Sequence, residues 1–295
     1  MNKRQKIGLV LGGGGGKGAY QIGVWKALRE YKIDKYITYV SGTSIGSLNS
    51  LLFLTGDLDN AVNVWSNITR ETALTKKSVK DIFFKKSLYS RDGFIDLAEK
   101  HVDFDKVSNS NIKSFVTATP VSKNVEGAPT NFCLNGKSKD EILKYVLASS
   151  AIPVVFEPVV INGIKYRDGY MVDNNPAGVL KEQGCKLIFV VPLKEYSLAN
   201  ECADENTTII DFVSPYNDYG IIDGTLDFVS ERAIMRMNHG YELGKQLIEK
   251  LLNEGVIAVT LKQKIKSMFI RWRKRKEEKQ YYYCLSKEEV IHRPE

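Results

Sequence analysis

Histidine and cysteine are scarce in this chain of 295 residues, which has three histidines and four cysteines. Cys133, Cys185, Cys202 and Cys284 show no C-x-x-C spacing and are too few for the disulfide framework of a chain this long. Because the histidines and cysteines nowhere cluster at the spacing of metal ligands, we expect no metal and no other cofactor. The composition fits a reducing compartment.

Long hydrophobic runs are also missing, and no stretch approaches the roughly 18 uninterrupted apolar residues of a membrane-spanning helix. Lys3, Arg4 and Lys6 precede an apolar run, residues 7–11, that superficially mimics a secretory signal. The run is too short and lacks a small-residue cleavage pattern, so we expect a buried strand in a cytoplasmic protein. With 43% hydrophobic and 26% charged residues, wholesale disorder and a collagen-like fibre are excluded.

An excess of one charge is absent from most of the chain. The net charge is +7, and residues 262–279 alone hold nine lysines and arginines against two glutamates, so the rest is electrically neutral. Apolar residues recur beside these cations at helical spacing, namely Leu261, Ile265, Met268, Phe269 and Trp272. Such a helix can lie in a lipid interface with its cations facing anionic headgroups.

Residues 261–279 are therefore expected either to contact an anionic membrane surface, at the inner membrane face, or to pack on the domain with their basic side in solvent. Tyr281, Tyr282 and Tyr283 could stack on nucleic-acid bases. The regular apolar stripe fits lipid or a protein core better than a phosphate groove, so we expect no nucleic-acid partner.

Strand and helix signals alternate along the first sixty residues, which is typical of a parallel sheet with helices on its faces. Strands are expected at 7–11, 36–40, 115–119 and 187–191, a hairpin at 159–166 around Asn162-Gly163, a helix face within 142–147 and a long helix at 226–252. Residues 65–110 carry no pattern that orders them. We predict one α/β domain over 1–255 and a basic C-terminal extension over 256–295.

A serine lies on a predicted turn between a strand and a helix, where Gly42-Thr43-Ser44-Ile45-Gly46 fits G-x-S-x-G. On such a turn the serine projects at the carboxyl edge of the sheet, and Gly42 and Gly46 let the strand and the helix pack closely. The start of the helix also offers N–H groups and a positive dipole end to an oxyanion. Ser44 is therefore a candidate nucleophile, and an ordinary helix N-cap serine is the alternative.

A glycine-rich loop follows the first strand and runs from Gly12 to Gly16, then through Lys17 and Gly18. It contains G-x-G-x-x-G, the pattern of a dinucleotide site, but the acidic residue expected at the end of the second strand is missing. With a candidate nucleophile after the neighbouring strand, an oxyanion hole is the better interpretation of the loop. The predicted oxyanion-binding amides are those of Gly13, Gly14, Gly15 and Gly16.

The base for Ser44 is expected to be a carboxylate. None of His101, His239 and His292 follows a late strand from which a loop would deliver it to the serine. Asp-Gly dipeptides begin at positions 92, 168 and 223, and only Asp168 follows a strong strand signal. Strand-end loops are where catalytic groups gather in α/β sheets, which favours Asp168. The other two are expected to be exposed turns, which is also the alternative for Asp168.

Four motifs, in order and with fitting spacing, resemble the patatin-like phospholipases: LGGGGGKG at 11–18, GTSIG at 42–46, ASSAIP at 148–153 and YRDGYMVDNNP at 166–176. The resemblance implies a patatin-type three-layer α/β/α fold with a mostly parallel central sheet. It also implies a catalytic dyad of Ser44 and Asp168, and an oxyanion hole from the glycine-rich loop with Lys17 at the family's basic position. Tyr170 departs from the pattern, since the family usually has Gly or Ala there, so the pocket beside Asp168 is expected to differ.

Residues and resemblance lead to one hypothesis, a lipid acyl hydrolase that cleaves carboxylic esters of phospholipids or acylglycerols. Ser44 would attack the ester carbonyl while Asp168 accepts its proton, and water would then hydrolyse the acyl-enzyme. A free carboxylate with a pKa near ~4 is a poor base for a hydroxyl, so burial is expected to raise that pKa. A nucleotide-binding module and a catalytically inactive membrane-binding scaffold are the alternatives, and the oligomeric state stays open.

Overall fold

The fold is known from a computed structural model that describes residues 1, 5–73, 75–76, 89–121, 128–214, 220, 224–273 and 280–290. The strands are β1 (Ile7–Leu11), β2 (Tyr39–Thr43), β3 (Thr75–Lys76), β4 (Tyr89–Ser90), β5 (Lys113–Pro120), β6 (Thr130–Cys133), β7 (Val159–Ile161), β8 (Ile164–Asp168), β9 (Leu187–Val191), β10 (Thr208–Asp211) and β11 (Tyr282–Tyr283). The helices are α1 (Ala19–Glu30), α2 (Ile45–Thr55), α3 (Leu58–Ser66), α4 (Arg70–Ala73), α5 (Asp92–His101), α6 (Phe104–Ser108), α7 (Lys139–Ser149), α8 (Ala177–Glu182), α9 (Ser230–Asn253) and α10 (Leu261–Arg273).

Nine of the described strands form one mostly parallel sheet, in the order β11-β10-β9-β1-β2-β5-β8-β7 with β6 also paired to β5. The six strands from β11 to β5 run parallel, whereas β6 and β8 pair antiparallel with β5, and β7 pairs antiparallel with β8. The parallel strands therefore present their carboxyl ends at one edge of the sheet, and the loops that follow them gather there.

Helices cover both faces of the sheet, which explains why its central strands are apolar without interruption. Successive residues of β1 alternate between two separate cores: Leu9 and Leu11 face α1, α2, α7 and α9, whereas Val10 faces α8. The same alternation in β9 places Phe189 with the first core and Val190 with the second. The three-layer α/β/α architecture with a mostly parallel central sheet is thus confirmed.

Several predicted elements have the expected bounds. The strands at residues 7–11 and 187–191 are confirmed, the predicted strand at 115–119 lies within β5, and the predicted helix face at 142–147 lies within α7. The predicted hairpin forms from β7 and β8, and both of its turn residues, Asn162 at φ 49° and Gly163 at φ 80°, have the positive φ of a type I′ turn.

Two predicted bounds are wrong. The second strand is β2 at Tyr39–Thr43, because Asp34–Tyr36 form a 3₁₀ turn and the pairing with β1 begins at Tyr39. The strand therefore runs directly into Ser44. The long helix begins at Ser230 instead of residue 226, since Asp227 precedes the helix and forms ion pairs with Arg232 and Arg236.

The C-terminal extension returns to the sheet after α9 ends. Residues 282–283 form β11, which pairs in parallel with β10 and makes the last strand on that side. The helix α10 packs near the end of α9, where Ser267 Oγ donates to the Gly255 carbonyl at 2.5 Å. Leu261 and Met268 of the predicted apolar stripe are 74% and 71% exposed. None of the described helices is both long and apolar enough to cross a membrane.

Close packing of α1 on α9 depends on glycine. A Cβ atom on Gly23 would lie 1.9 Å from the Met237 carbonyl oxygen, which belongs to the α9 backbone and cannot move aside cheaply. Gly240 of α9 meets the Tyr20 carbonyl of α1 in the same way, at 2.2 Å. The two helices therefore approach each other at backbone contact.

Gly23→Ala is expected to lower the free energy of unfolding by about 1–3 kcal/mol, because the methyl group forces the two helices apart. Gly178→Ala is the matched control, since nothing lies within 4 Å of the Cβ position at this helical glycine. There the change should leave stability unchanged or raise it by up to about 1 kcal/mol. Urea unfolding of both variants measures the difference, and equal stabilities would contradict the packing argument.

Candidate active site

Strand β5 sets the positions of the two predicted catalytic residues. The last residue of β2, Thr43, pairs with Thr117 of β5, and the last residue of β8, Asp168, pairs with the next residue, Ala118. Ser44 and Asp168 thus leave the sheet at the same level on either side of β5. Their side chains meet there, and Ser44 Oγ donates a hydrogen bond to Asp168 Oδ2 at 2.7 Å.

Ser44 occupies a strained turn between β2 and α2. Its φ of 55° and ψ of −124° are unfavourable for a residue with a side chain, and such strain concentrates at functional sites. Ser44 is in the N-cap position of α2, yet its side chain makes no capping hydrogen bond. A Cβ atom on Gly46 would lie 2.0 Å from the Leu11 carbonyl, so this glycine lets α2 pack against the end of β1.

The backbone amide of Ser44 is held by a second serine. Ser149 Oγ accepts from the Ser44 N–H at 2.8 Å and donates to the Thr117 carbonyl at 2.6 Å, and Ser149 is fully buried. The hydroxyl therefore ties the turn to β5. Ser149 lies inside the ASSAIP motif, but neither its spacing nor its residue type assigned it this contact.

Asp168 is fully buried, and burial raises the pKa of its carboxyl group to about 7. The Tyr170 N–H, which donates to Oδ1 at 3.0 Å, and the Ser44 hydroxyl oppose this shift by stabilising the carboxylate. Thr119 Oγ1 donates to the Asp168 carbonyl at 2.8 Å and fixes the backbone. A carboxyl group with such a pKa is a far better proton acceptor at neutral pH than a free aspartate.

The glycine-rich loop lies beside Ser44, and its glycines meet different neighbours. A Cβ atom on Gly13 would be 3.0 Å from Ser44 Cβ, which places this residue against the serine. The amide of Gly14 donates to no acceptor in the described part of the chain, whereas that of Gly13 donates to the Asn174 carbonyl at 3.3 Å. Gly15, at φ 57°, packs so closely on residue 225 that a Cβ atom would lie 1.8 Å from the Thr225 carbonyl.

Lys17 is buried and folds back over the loop. Its Cε lies 3.3 Å from the position that a Cβ atom on Gly14 would take, and the residue is 5% exposed. On the other side of the loop, the backbone of Asp227 packs against Gly16, where a Cβ atom would lie 1.9 Å from the Asp227 carbonyl. The loop is thus wedged between the Ser44 turn and residues 224–227.

A buried polar network braces both ends of the loop. Gln21 Nε2 donates to the Gly12 carbonyl at 2.8 Å, and Asn49 Nδ2 donates to the Gly18 carbonyl at 3.0 Å and to Gln21 Oε1 at 2.8 Å. Trp65 Nε1 completes the network by donating to Asn49 Oδ1 at 2.9 Å. Sequence reasoning missed these side chains, because polar residues within a helical pattern carry no signal of a buried partner.

The two described histidines contact residues other than Ser44. His101 Nδ1 lies 2.9 Å from Asn60 Oδ1, and His239 Nε2 lies 2.7 Å from Ser214 Oγ. His292 and Asp223 lie outside the described residues. Asp92 is exposed as expected, but it begins α5 instead of forming a free turn, and its carboxylate accepts from Ser90 Oγ at 2.6 Å.

A protein-family model described as patatin-like phospholipase matches residues 9–181, which is more than half of the chain and includes both Ser44 and Asp168. The chain belongs to the patatin-like phospholipase family. The resemblance seen in the sequence motifs is thereby confirmed.

Curated relatives of this patatin-like chain include two fungal proteins named lysophospholipase NTE1. The protein from Kluyveromyces lactis is 27% identical over 190 residues, which is 63% of this chain and 12% of the relative. The protein from Eremothecium gossypii is 24% identical over 273 residues, which is 86% of this chain and 16% of the relative. The chain therefore spans about an eighth to a sixth of the length of these relatives.

Among solved structures, VipD from Legionella pneumophila aligns with 84% of this patatin-like chain and 67% of its own, at 14% identity and a TM-score of 0.47. The type III effector ExoU aligns with 83% of this chain and 53% of its own, at 13% identity and a TM-score of 0.41.

The contact between Ser149 and the Ser44 amide leads to a prediction about reactivity. Ser149→Ala is expected to slow the labelling of Ser44 by a fluorophosphonate probe about tenfold, because the strained turn loses the hydrogen bond that holds it. Ser150→Ala is the matched control, since the Ser150 hydroxyl donates only to the Val146 carbonyl, at 2.9 Å. Labelling rates followed by intact-protein mass spectrometry measure the effect. Equal slowing in both variants would show that Ser149 has no special role.

Proposed function

We propose that this chain is a lipid acyl hydrolase in which Ser44 is the nucleophile and Asp168 the base. The observation that carries the proposal is the 2.7 Å hydrogen bond between Ser44 Oγ and Asp168 Oδ2 at a strained strand-to-helix turn. Membership of the patatin-like phospholipase family supports a lipid ester as the substrate. The names of the fungal relatives support a lysophospholipid as one such ester.

In the proposed reaction Ser44 Oγ attacks the ester carbonyl while its proton passes to Asp168. The oxyanion that develops is stabilised by the amide of Gly14, which donates to no acceptor among the described residues, together with the neighbouring amides of Gly15 and Gly16, close to the Lys17 side chain. The amide of Gly13 can join them only by giving up its 3.3 Å bond to the Asn174 carbonyl. Asp168 then returns the proton to the leaving alcohol. Water attacks the acyl-enzyme with Asp168 again as the base, which frees the fatty acid and restores Ser44.

The contact that we propose for residues 261–279 with an anionic membrane stays a prediction. Leu261 and Met268 of the apolar stripe are exposed, which leaves these two side chains available to lipid. Deletion of the helix together with its cations should then weaken sedimentation with anionic vesicles, and unchanged sedimentation would contradict the contact.

Ser44→Ala and Asp168→Asn are each expected to reduce fatty-acid release from acyl esters by about three orders of magnitude or more. Asp168→Asn should fold at least as stably at neutral pH, because burial disfavours the charge that the substitution removes. Release from a panel of lysophospholipid, phospholipid and acylglycerol substrates is the measurement.

Asp211→Asn is the matched control for Asp168→Asn. Asp211 is also a buried aspartate at the end of a strand, and burial raises its pKa to about 7, but its carboxylate accepts from Tyr282 OH at 3.0 Å. Asp211→Asn should retain turnover. Turnover retained by Asp168→Asn and lost in His239→Ala would replace the dyad with a histidine-dependent site.

The pH dependence of turnover follows from the state of Asp168. The base must be ionised to accept a proton, so kcat/KM is expected to rise with pH, reach half of its maximum near pH 7 and level off above it. A pH series on a soluble ester measures this. Asp211→Asn should leave the midpoint of the pH profile unchanged. A midpoint that shifts in this variant would show that the profile reports Asp211 and not Asp168.

A further inference from the structure

Exposed apolar side chains gather in the loops around the candidate active site. Six of them are between 42% and 67% exposed, and we call them the apolar rim: Val154, Tyr170, Met171, Val172, Tyr196 and Leu198. Tyr170 is also the residue at which the sequence departs from its family pattern. The function proposed above uses none of these side chains.

Each part of the apolar rim is tied by a short piece of chain to a residue of the site. Tyr170 and Met171 belong to the 3₁₀ turn, Gly169–Met171, that the Asp168 carboxylate caps, and Val172 follows that turn. Val154 comes three residues after Ala151, whose carbonyl accepts from the Asp168 N–H at 3.1 Å. Since consecutive Cα atoms are 3.8 Å apart, these side chains begin within about 15 Å of Asp168.

The third part of the rim comes from the loop after β9. Leu193 packs on the glycine-rich loop, with its Cβ 2.6 Å from the position of a Cβ atom on Gly14. Tyr196 and Leu198 follow three and five residues later. The rim therefore begins beside Asp168 and also includes residues of the loop that packs on the glycine-rich loop through Leu193.

The chemistry of the rim suits the surface of a lipid aggregate. Two of the three rim segments, residues 151–156 and 169–172, contain no charged side chain. The third segment, after β9, adds exposed Lys194 and Glu195, whose charges are opposite in sign. Val154 is a β-branched residue at φ 71°, a costly conformation that points an apolar side chain outwards. Tyrosine, as at 170 and 196, has an apolar ring with a polar tip and is favoured where hydrocarbon meets water.

The basic helix α10 lies at the other end of the molecule. Arg236, near the start of α9, donates to the Gly16 carbonyl at 3.1 Å, whereas Asn253, at the end of α9, contacts Lys266 of α10. The helix rises about 25 Å between these two residues. An interfacial helix sinks only about 5–10 Å into the headgroup region, so a flat lipid surface that receives the rim does not reach α10.

We propose, on the basis of the function given above, that this protein docks on lipid aggregates through the apolar rim. Docking there brings the ester to Ser44 at the carboxyl edge of the sheet without a long transfer through water. This docking is distinct from the contact with an anionic membrane proposed for residues 261–279, and on a neutral lipid surface α10 takes no part in it. The partner is a lipid surface held by apolar burial, so docking does not require anionic headgroups.

Two double variants with matched changes test the proposal. Met171→Ser with Val172→Ser alters the rim, and Leu261→Ser with Met268→Ser alters α10, and each pair replaces two exposed apolar side chains that lie outside the catalytic contacts. Both pairs are made in the full-length chain carrying Ser44→Ala, so that vesicle binding is read without turnover. Cosedimentation with phosphatidylcholine vesicles at low and high salt measures docking, and thermal unfolding checks that both variants are folded.

The rim variant is expected to bind vesicles about tenfold more weakly, whereas the α10 variant binds like the parent at either salt concentration. Wild-type binding by the rim variant, an equal loss in both variants, or no vesicle binding by the parent would each overturn the proposal. The proposal would also be overturned if the parent self-associates through the rim and does not bind vesicles, because the rim would then be a contact between two copies of the chain.

The same pairs in the chain with Ser44 intact separate docking from chemistry. On a short-chain ester dissolved as a monomer, the rim variant should keep its turnover within about twofold, while its turnover on vesicles falls about tenfold. If no protein cleaves the monomeric ester but the difference in vesicle binding persists, the hydrolase function fails and the docking surface stands. If the rim variant loses the monomeric ester equally, the rim is a substrate pocket and the docking proposal fails.

Discussion

The hydrogen bond between Ser44 and Asp168 is the contact on which the site depends, and it exists because β5 separates the two strands that end in these residues. Consecutive residues of β5 pair with the last residues of β2 and β8. A shift of this register by one residue would turn the aspartate to the opposite face of the sheet. The same strand anchors the turn a second time, since the Thr117 carbonyl accepts from Ser149. The relative position of Ser44 and Asp168 is therefore set by backbone pairing and not by contact between their side chains.

Burial sets the pKa of the Asp168 carboxyl group that contacts Ser44. A carboxylate on a solvated loop would be ionised at neutral pH and would compete poorly for a hydroxyl proton. Asp168 is fully buried, so its pKa rises to about 7, and the Tyr170 amide and the serine hydroxyl limit the rise. Asp211 reaches a similar pKa by burial but faces Tyr282. A raised pKa therefore does not favour Asp168 over Asp211 as the proposed base, whereas the hydrogen bond to the strained Ser44 does.

The two ends of the central sheet carry different features. The carboxyl edge of the sheet carries the strained serine, the glycine-rich loop and a border of exposed apolar residues. The opposite end carries α10, whose described residues include Lys262, Lys264 and Lys266. Helix α9 connects the two, beginning at the glycine-rich loop and ending beside α10. Helix α10, in which the sequence predicts a membrane contact, is therefore remote from the residues that would bind a lipid ester.

The sequence by itself determined the α/β class, most strands and helices and the hairpin at Asn162-Gly163, because hydrophobic periodicity, turn chemistry and glycine spacing are local signals. It also proposed Ser44 and Asp168 as a dyad, from their places at the ends of strand signals and from the resemblance of four motifs to the patatin-like phospholipases. The bounds of β2 and α9 were misjudged, since strand pairing and ion pairs with distant residues set them. Only the tertiary structure decided that Ser149 holds the Ser44 amide, that Gln21 and Asn49 brace the glycine-rich loop, and that β11 joins the sheet. These contacts join residues far apart in the chain, and no local pattern encodes which of many buried polar groups will meet when the layers pack.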